Sequence, residues 1–371
     1  MEPSGSDSAT AAMRISAGMA RHAGERRRIS CAMEVHFLKK LLAPLVGDAS
    51  PVTVIGLCKN AGKTTAMRRL MAELEEECLG LTSVGRDGEG TDLVTGTEKP
   101  DLYIKAGDLF ATARGMLPLC DVTVEVACLT DVMTPLGEVG VFRALSDGYI
   151  QLAGPSAAGQ LPPLCEVFAS LGADRVLIDG AAGRKSLAGA GIEGAALLCT
   201  GASLDRDMDL VVAETAHTCA LFASRRPEHP ALCAALDACA SRFALFTPEG
   251  APLELPLDEA GAPRWNKLPR RRCVLWAAGG ITDPLLKTLA RRGAPLTLVA
   301  ADATHVLAGR AAWDLFLRSG GALAVRRELT IAAVAANPWS AYGWHFDPAA
   351  FRSALRAAVS LPVVDVREEV C

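Results

Sequence analysis

The sequence predicts an α/β protein whose strands form a mostly parallel sheet covered by helices on both faces. Three observations carry that expectation. Short, continuous apolar runs alternate with stretches of helical periodicity from Pro51 to Phe222, and the alternation resumes at Cys273. Strands that are apolar throughout suit a sheet buried on both sides. Half of the 371 residues are hydrophobic and 22 % are charged, which supplies packed cores and excludes a disordered chain. At roughly 150 residues per domain, the length predicts two domains.

In chain order, residues 1–32 read as a disordered leader or a misassigned start. They are rich in Ser, Ala and Arg, carry Arg26-Arg27-Arg28, and lack the apolar core of a secretory signal, while Glu2, Asp7 and Glu25 count against a transit peptide. Met13, Met19 and Met33 leave the start open. From Met33 a short amphipathic helix (Val35, Phe37, Leu38, Leu41, Leu42) leads to Pro51. Strand Pro51–Leu57, helix Thr64–Cys78 and strand Gly80–Val84 follow. Further strands are expected at Val122–Ala127, Tyr149–Ala153, Arg175–Ile178 and Ala195–Cys199, then a helix over Leu210–Phe222. These elements define a first domain over 33–225.

Pro227, Pro230, Pro248, Pro252, Pro256, Pro263 and Pro269 crowd the next stretch. It reads as a proline-rich connection over 226–270 with one good helix, Ala231–Ser241. A smaller C-terminal α/β domain is expected over 271–371. Its strands fall at 273–277, 296–300, 322–326 and 330–335, and its helices at 283–291 and 310–318. No fixed-period repeat is visible.

Charge and cysteine usage narrow the class. The chain has 38 basic and 42 acidic residues, a net charge of −4 and a pI of about 5.9. That balance excludes a nucleic-acid binder relying on broad phosphate neutralisation. No window holds the roughly 18 apolar residues of a membrane span. The twelve cysteines are scattered singly with no CxxC pair, which reads as a reduced, cytoplasmic protein using cysteine as a small hydrophobe.

The sharpest signal is Val54-Ile55-Gly56-Leu57-Cys58-Lys59-Asn60-Ala61-Gly62-Lys63-Thr64-Thr65. A buried strand enters a loop ending Gly-Lys-Thr-Thr, and a helix begins at once. In such a loop successive backbone N–H groups converge on phosphate oxygens and the helix N-terminus adds positive potential. Lys63 neutralises β- and γ-phosphate charge, and Thr64 offers a hydroxyl to Mg²⁺. The expected nucleotide-binding set is therefore Gly56, Lys59, Asn60, Ala61, Gly62, Lys63, Thr64 and Thr65. The first glycine departs from the usual G-x-x-x-x-G-K-[ST] spacing by one place, standing at Gly56 and not at position 57, which Leu57 occupies. Lys59 is a second cation that points either at phosphate or at solvent.

A carboxylate at the end of a neighbouring strand should orient the magnesium, and Val176-Leu177-Ile178-Asp179-Gly180 fits. Asp179 joins Thr64 as an expected metal ligand, its other reading being a helix cap. Gly85-Arg86-Asp87-Gly88-Glu89-Gly90-Thr91-Asp92 has the character of a loop ordered by the γ-phosphate. There Asp87 would act on a metal-bound water and Arg86 on phosphate; a polar surface turn is the other reading. Lys63, Asp179 and Asp87 form the expected catalytic set.

Several segments in order resemble one family: GLCKNAGKTT (56–65), TSVGRDGEGTDLVTGTEKP (82–100), RALSDGYIQLAGPS (143–156), LIDGAAGRKS (177–186) and TGASLDRDM (200–208). The family they resemble is the P-loop component of the lysine 5,6-aminomutase reactivase. The resemblance covers about residues 50–222 and continues more loosely to the C-terminus. It implies a P-loop NTPase fold near that of dethiobiotin synthetase, with Lys63, Thr64 and Asp179 matching the nucleotide site, and ATP and Mg²⁺ as cofactors. It implies an ATP-binding subunit of a factor that helps expel damaged cobalamin from an adenosylcobalamin-dependent aminomutase. The implied partners are a second subunit resembling a mismatch-repair-type ATPase and lysine 5,6-aminomutase itself.

The residues read without the resemblance give a Mg-nucleotide switch with an appended α/β unit. Two other classes stay open: a stand-alone ATP-dependent small-molecule ligase or kinase resembling dethiobiotin synthetase, with Lys99 and Arg86 as substrate contacts, and a nucleotide-dependent scaffold. A cobalamin-binding D-x-H-x-x-G is absent, since Asp302-Ala303-Thr304-His305 has one residue too many before the histidine. His305 reads as a polar helix-start residue. Arg184-Lys185-Ser186 either senses γ-phosphate, contacts a partner or is solvated. The turn-rich segment Asn337–Pro348, with Trp339, Tyr342 and Trp344, reads as a binding surface or as filler between domains.

Overall fold

The computed structural model describes residues 40–84, 102–180 and 194–367. The expected leader, the start of the helix expected from Met33, the Asp87 loop and Arg184–Ser186 lie outside them. Strands in chain order are β1 (Val52–Gly56), β2 (Leu79–Ser83), β3 (Leu102–Ile104), β4 (Leu109–Ala113), β5 (Val124–Thr134), β6 (Gly137–Ala144), β7 (Gly148–Ile150) and β8 (Arg175–Asp179). They continue with β9 (Ala195–Gly201), β10 (Phe243–Phe246), β11 (Pro252–Leu253), β12 (Cys273–Ala277), β13 (Leu296–Ala300), β14 (Gly321–Val325), β15 (Thr330–Asn337) and β16 (Val363–Asp365). The helices are α1 (Ala43–Val46), α2 (Lys63–Glu73), α3 (Leu161–Ser170), α4 (Met208–Phe222), α5 (Pro230–Asp237), α6 (Asp283–Ala290), α7 (Arg310–Arg318) and α8 (Pro348–Ala358).

The protein is α/β. Among the described residues the main sheet has nine strands in the order β16-β15-β9-β1-β8-β2-β4-β6-β5. The pairs from β16 to β4 are parallel, while β4–β6 and β6–β5 are antiparallel. A second sheet, β11-β10-β12-β13-β14, has a parallel trio with an antiparallel edge. A two-stranded ribbon joins β3 to β7.

Alternation along the central strands explains why they read as continuously apolar. Val52 and Val54 of β1, Leu197 and Cys199 of β9, and Ala333 and Ala335 of β15 face one core with Met67 and Leu70 of α2. Ile55, Ala196, Leu198, Val334 and Ala336 face the other, which is continuous with Leu275 and Leu298 of the second sheet and with Trp313 and Phe316 of α7. Both faces are therefore dry, as a parallel sheet requires.

The C-terminal unit expected over 271–371 is divided between the two sheets. Residues 273–325 build the second sheet, but β15 then pairs with β9 and β16 with β15. The reason lies in β9, which is buried throughout and would otherwise be left as an open edge of the main sheet. The proline-rich stretch over 226–270 is likewise more than a connection: β10 and β11 within it complete the second sheet. Two expected strands take other roles. The run at Val122–Ala127 begins β5, antiparallel to β6, and that at Tyr149–Ala153 contributes Tyr149 and Ile150 to the ribbon strand β7. The helix expected to reach Cys78 ends at Glu73, whose buried carboxylate accepts the N–H groups of Leu41, Leu42 and Ala43 at 2.7–2.9 Å and pairs with Arg69 at 2.7 Å. That carboxylate ties the segment leading into α1 to the far end of α2.

Candidate functional site

The parallel strands end together where β1, β8 and β9 lie side by side. β1 passes through α2 to β2, on one side, while β9 leads through α4 and the second sheet to β15, on the other. Adjacent strands whose connections diverge in this way leave a crevice at their carboxyl ends, where α/β proteins bind ligands. The loop over 57–62 fills this position, tied to β9 by Leu57 N donating to Cys199 O at 3.0 Å.

Two residues of the loop sit in the left-handed region, Asn60 at φ 61° and Gly62 at φ 97°. Only at Gly62 does the geometry demand glycine. A Cβ there would lie 2.9 Å from Asn337 Cβ as well as straining the backbone. Gly62 is the N-cap of α2, with no side-chain cap, and Lys63 begins the helix. The N–H groups of the first turn thus have no intrahelical acceptor, and Lys63, Thr64 and Thr65 stand where an anion is favoured.

Lys63, the first residue of α2, folds back over the end of β1. A Cβ at Gly56 would meet Lys63 Cγ at 3.1 Å and Cδ at 3.2 Å, so the displaced glycine leaves the space that the lysine stem occupies. Burial pushes the Cys199 thiol up to about 12; Lys63 opposes that shift and Asp179 adds to it. Both charges therefore act at the end of β9. The Cys58 thiol is likewise raised by burial and lowered by Lys63.

Asp179 is the last residue of β8, in register with Val54 of β1 on one side and Ser83 of β2 on the other. Its backbone is fixed by Val84 N donating to Asp179 O at 3.1 Å, and Gly180 N donates to Val54 O at 2.9 Å. The structure brings Lys63, Thr64 and Asp179 to one edge. Asp87, Arg86 and Lys99 lie outside the described residues. Asn60 Nδ2 is buried with no hydrogen-bond partner among the described residues. A buried donor left open in a loop of donors suits an anionic ligand.

Three further features border the site, of which the Ser83–Gly154 contact has no signal in the sequence. Ser83 Oγ accepts Gly154 N at 3.0 Å, and a Cβ at Gly154 would fall 2.0 Å from Ser83 O, so residues 151–155 cross tightly beside Asp179's neighbour. On the opposite flank, Arg206 stacks over Trp344 at 4.6 Å, and Trp344 stacks on Tyr342 at 5.5 Å. Trp344 Nε1 donates to Ala202 O at 2.9 Å, which fastens the turn over 339–345 to the loop after β9. The aromatic segment that stands out in composition is therefore on the site's flank. Asn337, the third, touches the loop over 57–62 itself. His305 bonds through Nδ1 to buried Asp302 at 2.9 Å and lies in the short helical turn that follows β13 of the second sheet.

Among the described residues no group of three or more His, Cys, Asp or Glu side chains could hold a metal. No helix among them is long and apolar enough to cross a membrane. No family model matches the chain, and no curated protein or solved structure is significantly similar to it.

Proposed function

We propose that this chain is a P-loop NTPase that binds ATP with Mg²⁺, and that it is the nucleotide-binding subunit of a factor reactivating an adenosylcobalamin-dependent aminomutase. One observation carries the nucleotide reading. At the carboxyl end of β1 a loop with two left-handed residues delivers an uncapped helix N-terminus, with the Lys63 stem laid over Gly56 and Asp179 one strand away. The donor set is chemically matched to a polyphosphate, and the unpartnered Asn60 Nδ2 adds a donor to it.

In this reading the amides of residues 60–65 and the Lys63 ammonium hold the β- and γ-phosphates. Thr64 and Asp179 would hold Mg²⁺, which when bound supplies charge neutralisation on the phosphate oxygens. The sparse protein ligation agrees with magnesium's habit of keeping waters and substrate oxygens. The loop after β9 and the Trp344 turn would flank the base, where exposed Tyr342 offers stacking surface. The partner reading rests on the family resemblance of residues 56–65, 82–100, 143–156, 177–186 and 200–208.

The test adds the chain, a partner subunit resembling a mismatch-repair-type ATPase and ATP to an inactivated aminomutase and measures recovered activity. Recovery is expected with the unaltered chain and none with Lys63→Ala. Recovery with Lys63→Ala equal to wild type would remove the loop from the mechanism. Brisk, metabolite-dependent ATP turnover without a partner would replace the reactivase reading with the ligase or kinase one.

A further inference from the structure

We propose that Asn337 is a positioning residue for the polyphosphate grip, a role that rests on the nucleotide reading above. Asn337 ends β15, in register with Gly201 of β9. Its side chain reaches across to a loop 277 residues away, donating through Nδ2 to Asn60 O at 3.4 Å. Its Cβ occupies the space that any side chain at residue 62 would need, at 2.9 Å from that position. Asn60 and Gly62 are the two loop residues in the left-handed region. A single side chain therefore touches both points where the loop's backbone reverses.

The direction of these contacts matters. A loop that presents N–H groups inward must turn its carbonyls outward, and an outward carbonyl needs a donor. The Asn337 amide supplies one to Asn60 O. Asparagine adopts the left-handed conformation more readily than other side-chain-bearing residues, and the bond to Asn60 O holds the loop there.

Asn337 is itself held from three sides. Its carbonyl accepts Ala202 N at 3.0 Å, and its Oδ1 accepts Trp339 N at 3.3 Å. Gly201 allows the close approach, because a Cβ there would lie 2.1 Å from Asn337 O. The amide is thus oriented, with oxygen to Trp339 and nitrogen to the loop.

The experiment titrates the full chain and two variants, Asn337→Asp and Asn337→Ala, with Mg-ATP, magnesium tripolyphosphate and adenosine, by calorimetry. Asn337→Asp is isosteric, keeps the acceptor for Trp339 N and loses the donor to Asn60, so it guards against simple misfolding; thermal melts of both variants run alongside. Expected is a loss of about ten-fold in affinity for Mg-ATP and for tripolyphosphate, with adenosine affinity unchanged. Equal weakening of all three ligands, or full affinity in Asn337→Asp, overturns the assignment while leaving the nucleotide reading in place. Failure of the wild-type chain to bind any of the three probes overturns both.

Discussion

At the carboxyl end of β1 the chain runs through a loop with two left-handed residues into a helix with no side-chain cap, whereas at the ends of β13 and β14 it gathers its donors on a buried carboxylate of its own. Both edges are parallel, and both have a glycine-bearing loop followed by a helix. In the second, however, the buried carboxylate of Asp302 takes up four donors. Its Oδ1 accepts Thr304 N at 3.0 Å, Thr304 Oγ1, and His305 Nδ1 at 2.9 Å, and its Oδ2 accepts Arg327 Nη2 at 3.1 Å. The first edge offers a loop of N–H groups and a lysine, with its carboxylate set one strand aside. A parallel-sheet edge becomes a candidate anion site when its own acidic groups do not saturate its donors.

Glycine substitution at the first edge should have the largest effect. Gly62→Ala must place a Cβ at φ 97° and 2.9 Å from Asn337 Cβ. The loop should distort, and Mg-ATP affinity should fall on the order of a hundred-fold by calorimetric titration. Gly279→Ala, at the matching place after β12, meets nothing within 4 Å and has no positive φ. It should change neither binding nor stability by more than about 0.5 kcal/mol. Equal effects of the two substitutions would show that the edges do not differ in function.

Asp302→Asn comes next, because it turns an acceptor of four donors into a group that carries a donor of its own. Denaturant unfolding should report a loss of about 2–4 kcal/mol, with Mg-ATP affinity unaltered. The pH dependence sharpens the point. Burial by itself would raise the Asp302 carboxyl, but hydrogen bonds from His305 and Thr304 and the charges of His305 and Arg327 outweigh it, holding it below the ordinary value. A carboxyl depressed in the folded state contributes stability that is present above its unfolded value of about 3.9 and is lost as pH falls through the folded value. The wild-type chain should therefore lose stability below about pH 4 along a limb that Asp302→Asn lacks.

The asymmetry between the two edges also marks what can be read from the sequence. The candidate loop is local: strand, loop, Lys63, Thr64 and helix follow one another, and Asp179 announces itself by ending an apolar run. The alternation of the central strands is legible for the same reason. Asn337 reads only as the start of an aromatic stretch, because its contact with Asn60 exists only once β15 has returned to β9. The second sheet's capture of β10 and β11 is hidden by proline density. The antiparallel strands β4 and β6 escape because Leu109–Ala113 and Gly137–Ala144 are rich in alanine and glycine, residues with poor strand propensity. Ser83 and Gly154 meet through a close backbone approach with no sequence signature of its own.

The smallest expected effect tests how thoroughly the second edge is closed. Thr304 gives Asp302 two of its four donors, one from the backbone and one from the hydroxyl. Thr304→Val keeps the shape and the backbone donor and removes only the hydroxyl. If the carboxylate is over-supplied, the remaining three donors hold it, and unfolding should show a loss of about 1 kcal/mol. Removing a donor to the charged form lifts the folded-state value of the carboxyl toward its unfolded one, so the acid limb of the stability curve should become shallower. A loss as large as that of Asp302→Asn would mean that the hydroxyl is indispensable, and that this edge is closed by one hydrogen bond rather than by a saturated network. In that case the contrast with the loop over 57–62 would rest on a single side chain.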